Sequence, residues 1–124
     1  MKITSFNPLI VSNNAEEIIR LFEEMGFVRR HRLVIKPGDT EVVTVRMKDP
    51  NGFYVDVVQA DGMNRDLTLI RMNVDNFDEA LKELEARGFR NTLGDKTVNT
   101  RTNKSALVVS PSGFAFDLFE HIKE

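Results

Sequence analysis

The sequence contains no cysteine and only two histidines among its 124 residues. Without cysteine the chain has no disulfide, no thiolate metal ligand and no thiol nucleophile, and its redox compartment stays open. A glycine-rich phosphate loop, a Ser-His-Asp arrangement and a His-Glu metal motif are also missing. These absences remove the usual sequence signatures of hydrolases, nucleotide-binding proteins and histidine-ligated metal sites.

Charge and hydropathy exclude two further classes of partner. The formal net charge is −2 at pH 7, so the sequence gives no reason to expect a nucleic acid partner. No long apolar stretch follows the N-terminal residues, and we therefore expect no signal peptide and no membrane span. This pattern favours a cytoplasmic protein. With 41% hydrophobic and 29% charged residues, the composition is that of a globular domain.

The sequence carries the same pattern twice. Gly26-Phe27 returns as Gly88-Phe89, and DPNGF at 49–53 returns as SPSGF at 110–114. A period of about 60 residues is too long for a solenoid unit. We therefore predict two copies of a half-domain, which could enclose a ligand cleft between them.

Each copy predicts the element order βαβββ. Asn13 or Asn14 is expected to cap a helix near 14–25, and Asp75 or Asn76 a helix near 76–87, each ended by the glycine of the Gly-Phe pair. The buried face of the first helix is predicted at Ala15, Ile18, Phe22 and Met25, and that of the second at Phe77, Ala80, Leu81 and Leu84. The predicted strands cover 3–11, 27–36, 41–48, 53–59, 67–74, 89–98, 105–109 and 114–119. Six phenylalanines are predicted in the core: Phe6, Phe27, Phe53, Phe89, Phe114 and Phe116.

The predicted fold class is α+β, with two tandem βαβββ modules in one domain, 1–124. Module 1 covers about 1–60 and module 2 about 66–124, because the segment 61–65 is too short to separate independent domains. A doubled βαβββ unit with these turns resembles the vicinal oxygen chelate superfamily, the group of glyoxalase I, bleomycin and fosfomycin resistance proteins and extradiol dioxygenases. The resemblance covers essentially the whole chain. It implies a cupped mixed sheet with the helices outside.

Metal-dependent members of that superfamily place a ligand near the start of each half's first strand and a carboxylate on each half's last strand. In this sequence the first-strand positions fall on Asn7, or on Phe6 in the alternative register, and on Leu69, and the carboxylates fall on Asp56 and Asp117. Neither His31 nor His121 lies at these positions. Leucine and phenylalanine cannot ligate a metal, and an asparagine oxygen is a poor ligand for a transition metal. The resemblance therefore implies a member with no metal and no cofactor.

Strand alternation turns both aspartates toward the expected cavity. On the last strand of module 1, Phe53, Val55 and Val57 are predicted on the side that packs on the helix, which leaves Tyr54, Asp56 and Val58 on the other side. Asp117 takes the corresponding place in module 2. Tyr54 is the only tyrosine of the chain; it either packs on the sheet, stacks on a ligand or acts as an acid.

Three interpretations of the aspartates stay open. They are solvated acids, or a lining that binds a cationic or polyhydroxylated ligand because two inward carboxylates repel each other, or members of an internal Arg–Asp pair. Arg71, which shares a predicted face with Leu69 and Asn73, is the candidate for that pair. The predicted ligand-binding residues are Asn7, Tyr54, Asp56, Leu69, Arg71, Asn73 and Asp117, and no catalytic residue is assigned.

The leading functional hypothesis is a metal-independent small-molecule-binding protein of the glyoxalase/bleomycin-resistance type that sequesters a toxic compound. The alternative is a lyase- or isomerase-like enzyme with a nonstandard site, and a third class is a regulatory module that binds another protein. A homodimer is expected, since open curved sheets leave edges and apolar surface that pairing would cover.

Overall fold

The computed structural model describes residues 1–35, 41–92, 98–99 and 103–121. Its contacts divide the chain into two compact units. The first unit is Asn7–Thr68, and the second unit is Met1–Phe6 together with Leu69–Glu124. Each unit packs one helix on a mixed sheet, so the α+β class is confirmed. That the two units form one domain stays a prediction.

The first unit has the predicted order βαβββ. Its elements are β1 (Ile3–Ser12, from Asn7 onward), α1 (Ala15–Glu24), β2 (Val28–Ile35), β3 (Val42–Lys48) and β4 (Tyr54–Gln59). Strand β1 runs parallel to β4, β4 is antiparallel to β3, and β3 is antiparallel to β2. The last strand of the module is therefore central in its sheet, with the first strand on one side and the hairpin partner on the other.

The second unit repeats this arrangement. Its elements are β5 (Leu67–Val74), α2 (Phe77–Ala86), β6 (Arg90–Asn91), β7 (Val98–Asn99), β8 (Asn103–Val109) and β9 (Ala115–His121). Strand β9 lies between β5, which is parallel to it, and β8, which is antiparallel; β6 and β7 both pair with β8. The strand predicted at 89–98 is only partly confirmed, as the two short strands β6 and β7, and residues 93–97 lie outside the described part.

The doubled Gly-Phe pair is explained by the way both helices end. Gly26 has a φ of 103° and Gly88 a φ of 90°, a left-handed conformation that glycine adopts without a Cβ clash. The amide of Phe27 donates to the Phe22 carbonyl at 2.9 Å, and that of Phe89 to the Leu84 carbonyl at 3.1 Å. This is the hydrogen bond of the Schellman motif, whose hydrophobic contact is also present, since the Phe22 and Phe27 rings lie 5.2 Å apart.

The two helices begin differently. The Asn76 side chain caps α2 and accepts from the Glu79 amide at 3.1 Å, as predicted. For α1 the predicted side-chain cap is wrong: among the described residues, the Asn14 side chain caps no amide. The Ser12 hydroxyl accepts from the Asn14 amide at 3.0 Å, and the Gln59 side chain accepts from the Ala15 amide at 3.0 Å. Neither described helix is long and apolar enough to cross a membrane.

The doubled turn holds each last strand in register. Asp49 accepts from the Phe53 amide at 2.8 Å through its carboxylate, and Ser110 accepts from the Gly113 amide at 3.0 Å through its hydroxyl. Gly52 and Gly113 have φ values of 92° and 110°. The proline-glycine turns read from the sequence are therefore present at both places.

Each unit has its own apolar core under its helix. Two lists give the members: Ala15, Ile19, Met47, Val55 and Val57 in the first unit, and Met72, Val74, Phe77, Ala80, Ala106, Val108 and Leu118 in the second. The predicted helix faces are confirmed except at Met25, which is the C-cap of α1 and is exposed. The helix-facing position of Val55 and Val57 is also confirmed.

The core assignment of the phenylalanines is wrong for three of the six. Phe53, Phe6 and Phe114 are 67%, 58% and 50% exposed, whereas Phe27, Phe89 and Phe116 pack against the cores. Phe53 and Phe114 each lie one residue before their strand begins. Alternation along the strand therefore does not place them under the helix.

Candidate functional site

Asp56 lies in the middle of β4 on the sheet face away from α1. Its neighbours Val55 and Val57 pack toward the helix, and its own exposed fraction is only 1%. Arg46 donates from Nε to Oδ1 and from Nη2 to Oδ2, each at 3.0 Å. The Asn7 amide donates to Oδ2 at 2.8 Å. A buried carboxylate is thus held by a bidentate guanidinium and one amide, the stronger class of hydrogen bond.

Strand register brings these three residues together. Arg46 on β3 stands opposite Asp56 in the antiparallel pair, and Leu9 on β1 stands opposite it in the parallel pair. Asn7 is two residues before Leu9 and so projects from the same face. The triangle closes because Arg46 Nη2 donates to the Asn7 side-chain oxygen at 2.9 Å. We call Asn7, Arg46 and Asp56 the first-unit triad.

Tyr54 borders the triad on the same face of β4. The Arg46 guanidinium lies 4.8 Å from the centre of the Tyr54 ring, and the Lys48 ammonium lies 5.4 Å from it. Both distances fall within the range of cation–π attraction. Tyr54 and Lys48 are half-buried, and the Arg46 side chain is 22% exposed.

Asp117 is paired with Arg71 in the second unit. Arg71 on β5 stands opposite it in the parallel pair, and the Arg71 Nε lies 3.9 Å from Oδ2 of Asp117. The Arg71 Nε also donates to the Asn73 side chain at 3.4 Å, and its guanidinium lies 4.2 Å from the centre of the Phe119 ring. The Asp117 side chain is 24% exposed. The Asp117 carboxylate is therefore more exposed to solvent than the Asp56 carboxylate, which is 1% exposed.

The two aspartates occupy equivalent places but take their arginines from opposite neighbours. In the first unit the arginine comes from the hairpin partner, while Leu9 fills the parallel position. In the second unit the arginine comes from the parallel neighbour, while Leu107 stands in the hairpin position. The sequence repeat therefore does not extend to the residues that balance the charge.

The structure assembles the predicted residues within each unit. Asn7, Tyr54 and Asp56 meet in the first unit, and Arg71, Asn73 and Asp117 meet in the second. Leu69 is half-buried on β5, two residues before Arg71, and offers no polar atom. The internal Arg–Asp pair is present in both units, and the interpretation of Asp56 as a solvated acid is wrong because its carboxylate is buried against Arg46.

Sequence reasoning missed Arg46 and Lys48. The signal was available in the DPNGF turn, whose Asp49 amide donates to the Phe53 carbonyl at 2.9 Å. Counting outward from that closing pair puts Lys48 opposite Tyr54 and Arg46 opposite Asp56, which is the observed register. Face alternation along β4 alone does not reveal these two residues, because they lie on its hairpin partner β3.

The residues present do not fit a transition metal. Both Asp56 oxygens are bonded to Arg46, and neither Asn7 nor Leu69 supplies a nitrogen or thiolate ligand. In the described part of the chain, no three His, Cys, Asp or Glu side chains lie close enough to hold a metal ion. His31 is exposed on β2, and His121 Nδ1 lies 3.3 Å from the Asn103 side-chain oxygen.

A separate cleft opens on the helix side of the first unit. It has a volume of about 260 Å³, and its lining residues are Ala15, Glu16, Ile19, Arg29, Arg32, Val43, Val45, Val57 and Gln59. The hydrogen bonds that Arg29 donates to the Glu23 and Glu16 carboxylates raise the pKa of its guanidinium. This cleft contains none of the predicted ligand-binding residues.

The fold is that of known epimerases and of glyoxalase I. Methylmalonyl-CoA epimerase from Mycobacterium tuberculosis matches with a TM-score of 0.73 at 11% identity, over 98% of this chain and 90% of that one. The Streptomyces coelicolor epimerase in complex with 2-nitronate-propionyl-CoA matches with a TM-score of 0.68 at 13% identity, over 98% and 100%. Glyoxalase I from Zea mays matches with a TM-score of 0.67 at 15% identity, over 98% of this chain but 44% of that one.

The chain has the vicinal oxygen chelate fold. At these identities the similarity establishes architecture and no activity. The chain spans less than half the length of the maize enzyme. The sequence matches no protein-family model and no curated protein sequence.

Proposed function

We propose that this vicinal oxygen chelate protein binds a small molecule without a metal and sequesters it as a toxic compound. The proposed site is the face of the first unit that carries the first-unit triad and Tyr54. The observation that carries the proposal is the bidentate bonding of Asp56 by Arg46. A cytoplasmic homodimer with no cofactor and no nucleic acid partner belongs to the same proposal.

The Arg46 guanidinium bonds both oxygens of a carboxylate that the superfamily resemblance would assign to a metal. A metal that used Asp56 would have to displace Arg46 from a carboxylate that is 1% exposed. Breaking a buried ion pair leaves one charge uncompensated in a poorly solvated place, which is strongly unfavourable. The first-unit triad therefore supports a site that would bind its ligand through side-chain hydrogen-bond donors and an aromatic ring, without a metal.

Small-molecule binding is supported by the fold and by the surroundings of the triad. The matched Streptomyces epimerase holds a coenzyme A derivative, so this architecture accommodates a small ligand. In the present chain, Tyr54, Lys48 and Arg46 bring an aromatic ring and two cations together on one sheet face. Such convergent polar groups beside apolar surface are typical of ligand sites.

Metal analysis and ligand mapping test the proposal together. Protein purified without chelator should hold no stoichiometric zinc, nickel, iron or manganese by mass spectrometry. In a fragment screen read by amide NMR shifts, hits should perturb Asn7, Tyr54 and Asp56, equally with and without EDTA. Asp78→Asn, which removes an exposed acid on α2, is the control for Asp56→Asn. Stoichiometric metal that is lost in Asp56→Asn, or hits that vanish with EDTA, would overturn the proposal.

The second candidate function is an enzyme at the same face, of the isomerase or lyase type. Tyr54 favours it, because a phenol beside two cations can exchange a proton with a bound ligand. Solvent-deuterium incorporation into a screened ligand, abolished in Tyr54→Phe, would support catalysis. A ligand that binds and stays chemically unchanged in deuterated buffer supports sequestration.

A further inference from the structure

We infer that the face of the first unit binds an organic anion, a small carboxylate, through Lys48 and Tyr54. The inference rests on the proposed function and specifies the ligand's charge. It reverses the expectation of a cationic ligand that the two aspartates had suggested. The argument follows from how the charges on this face are balanced.

Cross-strand register lines up the charged groups of the face. Arg46 and Lys48 project from β3, and Tyr54 and Asp56 project beside them from β4. Exposed His31 on β2 stands opposite Arg46. Asp56 is the one acid among these five residues, and both its oxygens are bonded to Arg46. None of the five residues therefore supplies a carboxylate to neutralise the positive charge of Lys48.

Lys48 is placed to receive an anion. It is half-buried, and within the described residues its ammonium forms no ion pair; its contact there is the Tyr54 ring at 5.4 Å. The nearby Asp49 carboxylate is bonded to the turn amides of Asn51 and Phe53. A partly desolvated ammonium without a carboxylate favours a negatively charged ligand.

Tyr54 supplies a second donor at the same point. Its ring lies within cation–π range of Arg46 and Lys48, and Tyr54 is the direct cross-strand neighbour of Lys48. Among the described residues, its hydroxyl makes no hydrogen bond. A carboxylate can accept from the Lys48 ammonium and the Tyr54 hydroxyl together, and such charge-assisted bonds are about twice as strong as neutral ones. Among the five residues of this face, the one acid is already bonded to Arg46, so a cationic ligand would be repelled by Lys48.

Three probes of similar shape but different charge test whether the charge of the ligand decides binding. Benzoate, benzamide and benzamidinium are planar and similar in size, and they carry negative, zero and positive charge. Titration of the protein with each, followed by amide NMR, should show saturable benzoate shifts at Lys48, Tyr54 and Asp56. Benzamide should bind about tenfold more weakly, as expected for the loss of one charge-assisted bond, and benzamidinium should not saturate.

Variants then assign the contacts. Lys48→Gln should weaken benzoate about tenfold and leave benzamide unchanged, and Lys48→Arg should restore most of the benzoate affinity. Tyr54→Phe should weaken benzoate by a smaller factor. Lys82→Gln, an exposed lysine on α2, should change nothing. Unchanged melting temperatures will show that each variant is folded.

The outcomes separate the inference from the proposed function. Equal binding of all three probes at Lys48 and Tyr54, or tighter binding of benzamidinium, overturns the anion inference and leaves a metal-independent binding site standing. Benzoate shifts that are unaffected by Lys48→Gln also overturn it. If no probe perturbs these residues the inference fails, whereas the fragment screen and metal analysis decide the proposed function independently.

Discussion

The polar face of the first unit is organised around one buried carboxylate. Asp56 is 1% exposed and is neutralised within its own unit by Arg46. In the described part of the chain, no buried side-chain nitrogen or oxygen lacks a hydrogen-bond partner. The charge and the hydrogen bonds of this carboxylate are therefore met by residues of its own unit.

The first prediction concerns that ion pair. Arg46→Met should destabilise the protein by about 3 kcal/mol, since it removes the bidentate guanidinium from a buried carboxylate. The double variant Arg46→Met with Asp56→Leu should recover most of that loss, because no charge is then left uncompensated. Urea denaturation measures both.

Asp117→Asn is the matched control. Its carboxylate is 24% exposed and 3.9 Å from the Arg71 Nε, so the loss should stay below about 1 kcal/mol. An equal loss in Asp117→Asn and Arg46→Met would show that burial does not set the strength of the two pairs. A double variant as unstable as Arg46→Met alone would also contradict this explanation.

At the scale of elements, the repeated sequence gives repeated helix ends but unlike helix starts. Both Gly-Phe pairs form the same C-terminal motif. The N-termini differ, because the Asn76 side chain caps α2, whereas Ser12 and Gln59 accept the first amides of α1. Equivalent positions in the two modules therefore serve as controls for each other.

The second prediction compares Gly26 and Gly88, the glycines that end the two helices. A Cβ at Gly88 would lie 3.0 Å from the Pro111 ring, whereas a Cβ at Gly26 meets nothing within 4 Å. Gly26→Ala should cost about 1–2 kcal/mol through left-handed backbone strain alone. Gly88→Ala should cost about 1 kcal/mol more through overpacking. Thermal unfolding of both variants checks the order, and a larger loss in Gly26→Ala would contradict it.

The third prediction compares the two N-caps. Asn76→Ala should destabilise the protein by about 1 kcal/mol, since the Glu79 amide loses its acceptor. Asn14→Ala should change stability by less than about 0.5 kcal/mol, because the Asn14 side chain caps nothing among the described residues. Urea denaturation will distinguish the two. Equal losses would show that α1 depends on Asn14 in a way that the hydrogen bonds do not reveal.

Periodicity and turn chemistry were enough to predict the elements. The helices expected near 14–25 and 76–87 are found at Ala15–Glu24 and Phe77–Ala86, because their apolar spacing and glycine stops are local signals. The charge partners were harder to predict, because they depend on strand pairing. The hairpin register predicts that Arg46 stands opposite Asp56, and the shared face of β5 predicts Arg71 as the partner of Asp117. The exposed phenylalanines were missed, since apolar character does not reveal which residues a helix covers.

At the scale of the whole molecule, the chain is similar to known structures in fold but not in sequence. Structures with TM-scores of 0.67–0.73 share only 11–15% of their residues with this chain. Such a fold is specified by apolar periodicity, turns and helix stops, which many sequences can satisfy. The polar residues on the sheet faces are free to differ, which is why fold alone leaves the ligand and the activity to experiment.

The last prediction is that the chain forms a homodimer through exposed phenylalanine surface. Phe53 in the first unit is 67% exposed, and Phe6 and Phe114 in the second are 58% and 50% exposed. Large exposed aromatic side chains are enriched at protein interfaces, where their burial is strongly favourable. Light scattering at micromolar concentration should therefore give twice the 14.2 kDa chain mass.

Phe53→Glu should weaken the dimer at least about tenfold, since a buried charge without a partner is costly. Leu21→Glu, at a 51% exposed position on α1, should leave the dimer intact. A monomeric wild-type protein, or equal weakening by both variants, would refute the assignment of this surface to self-association.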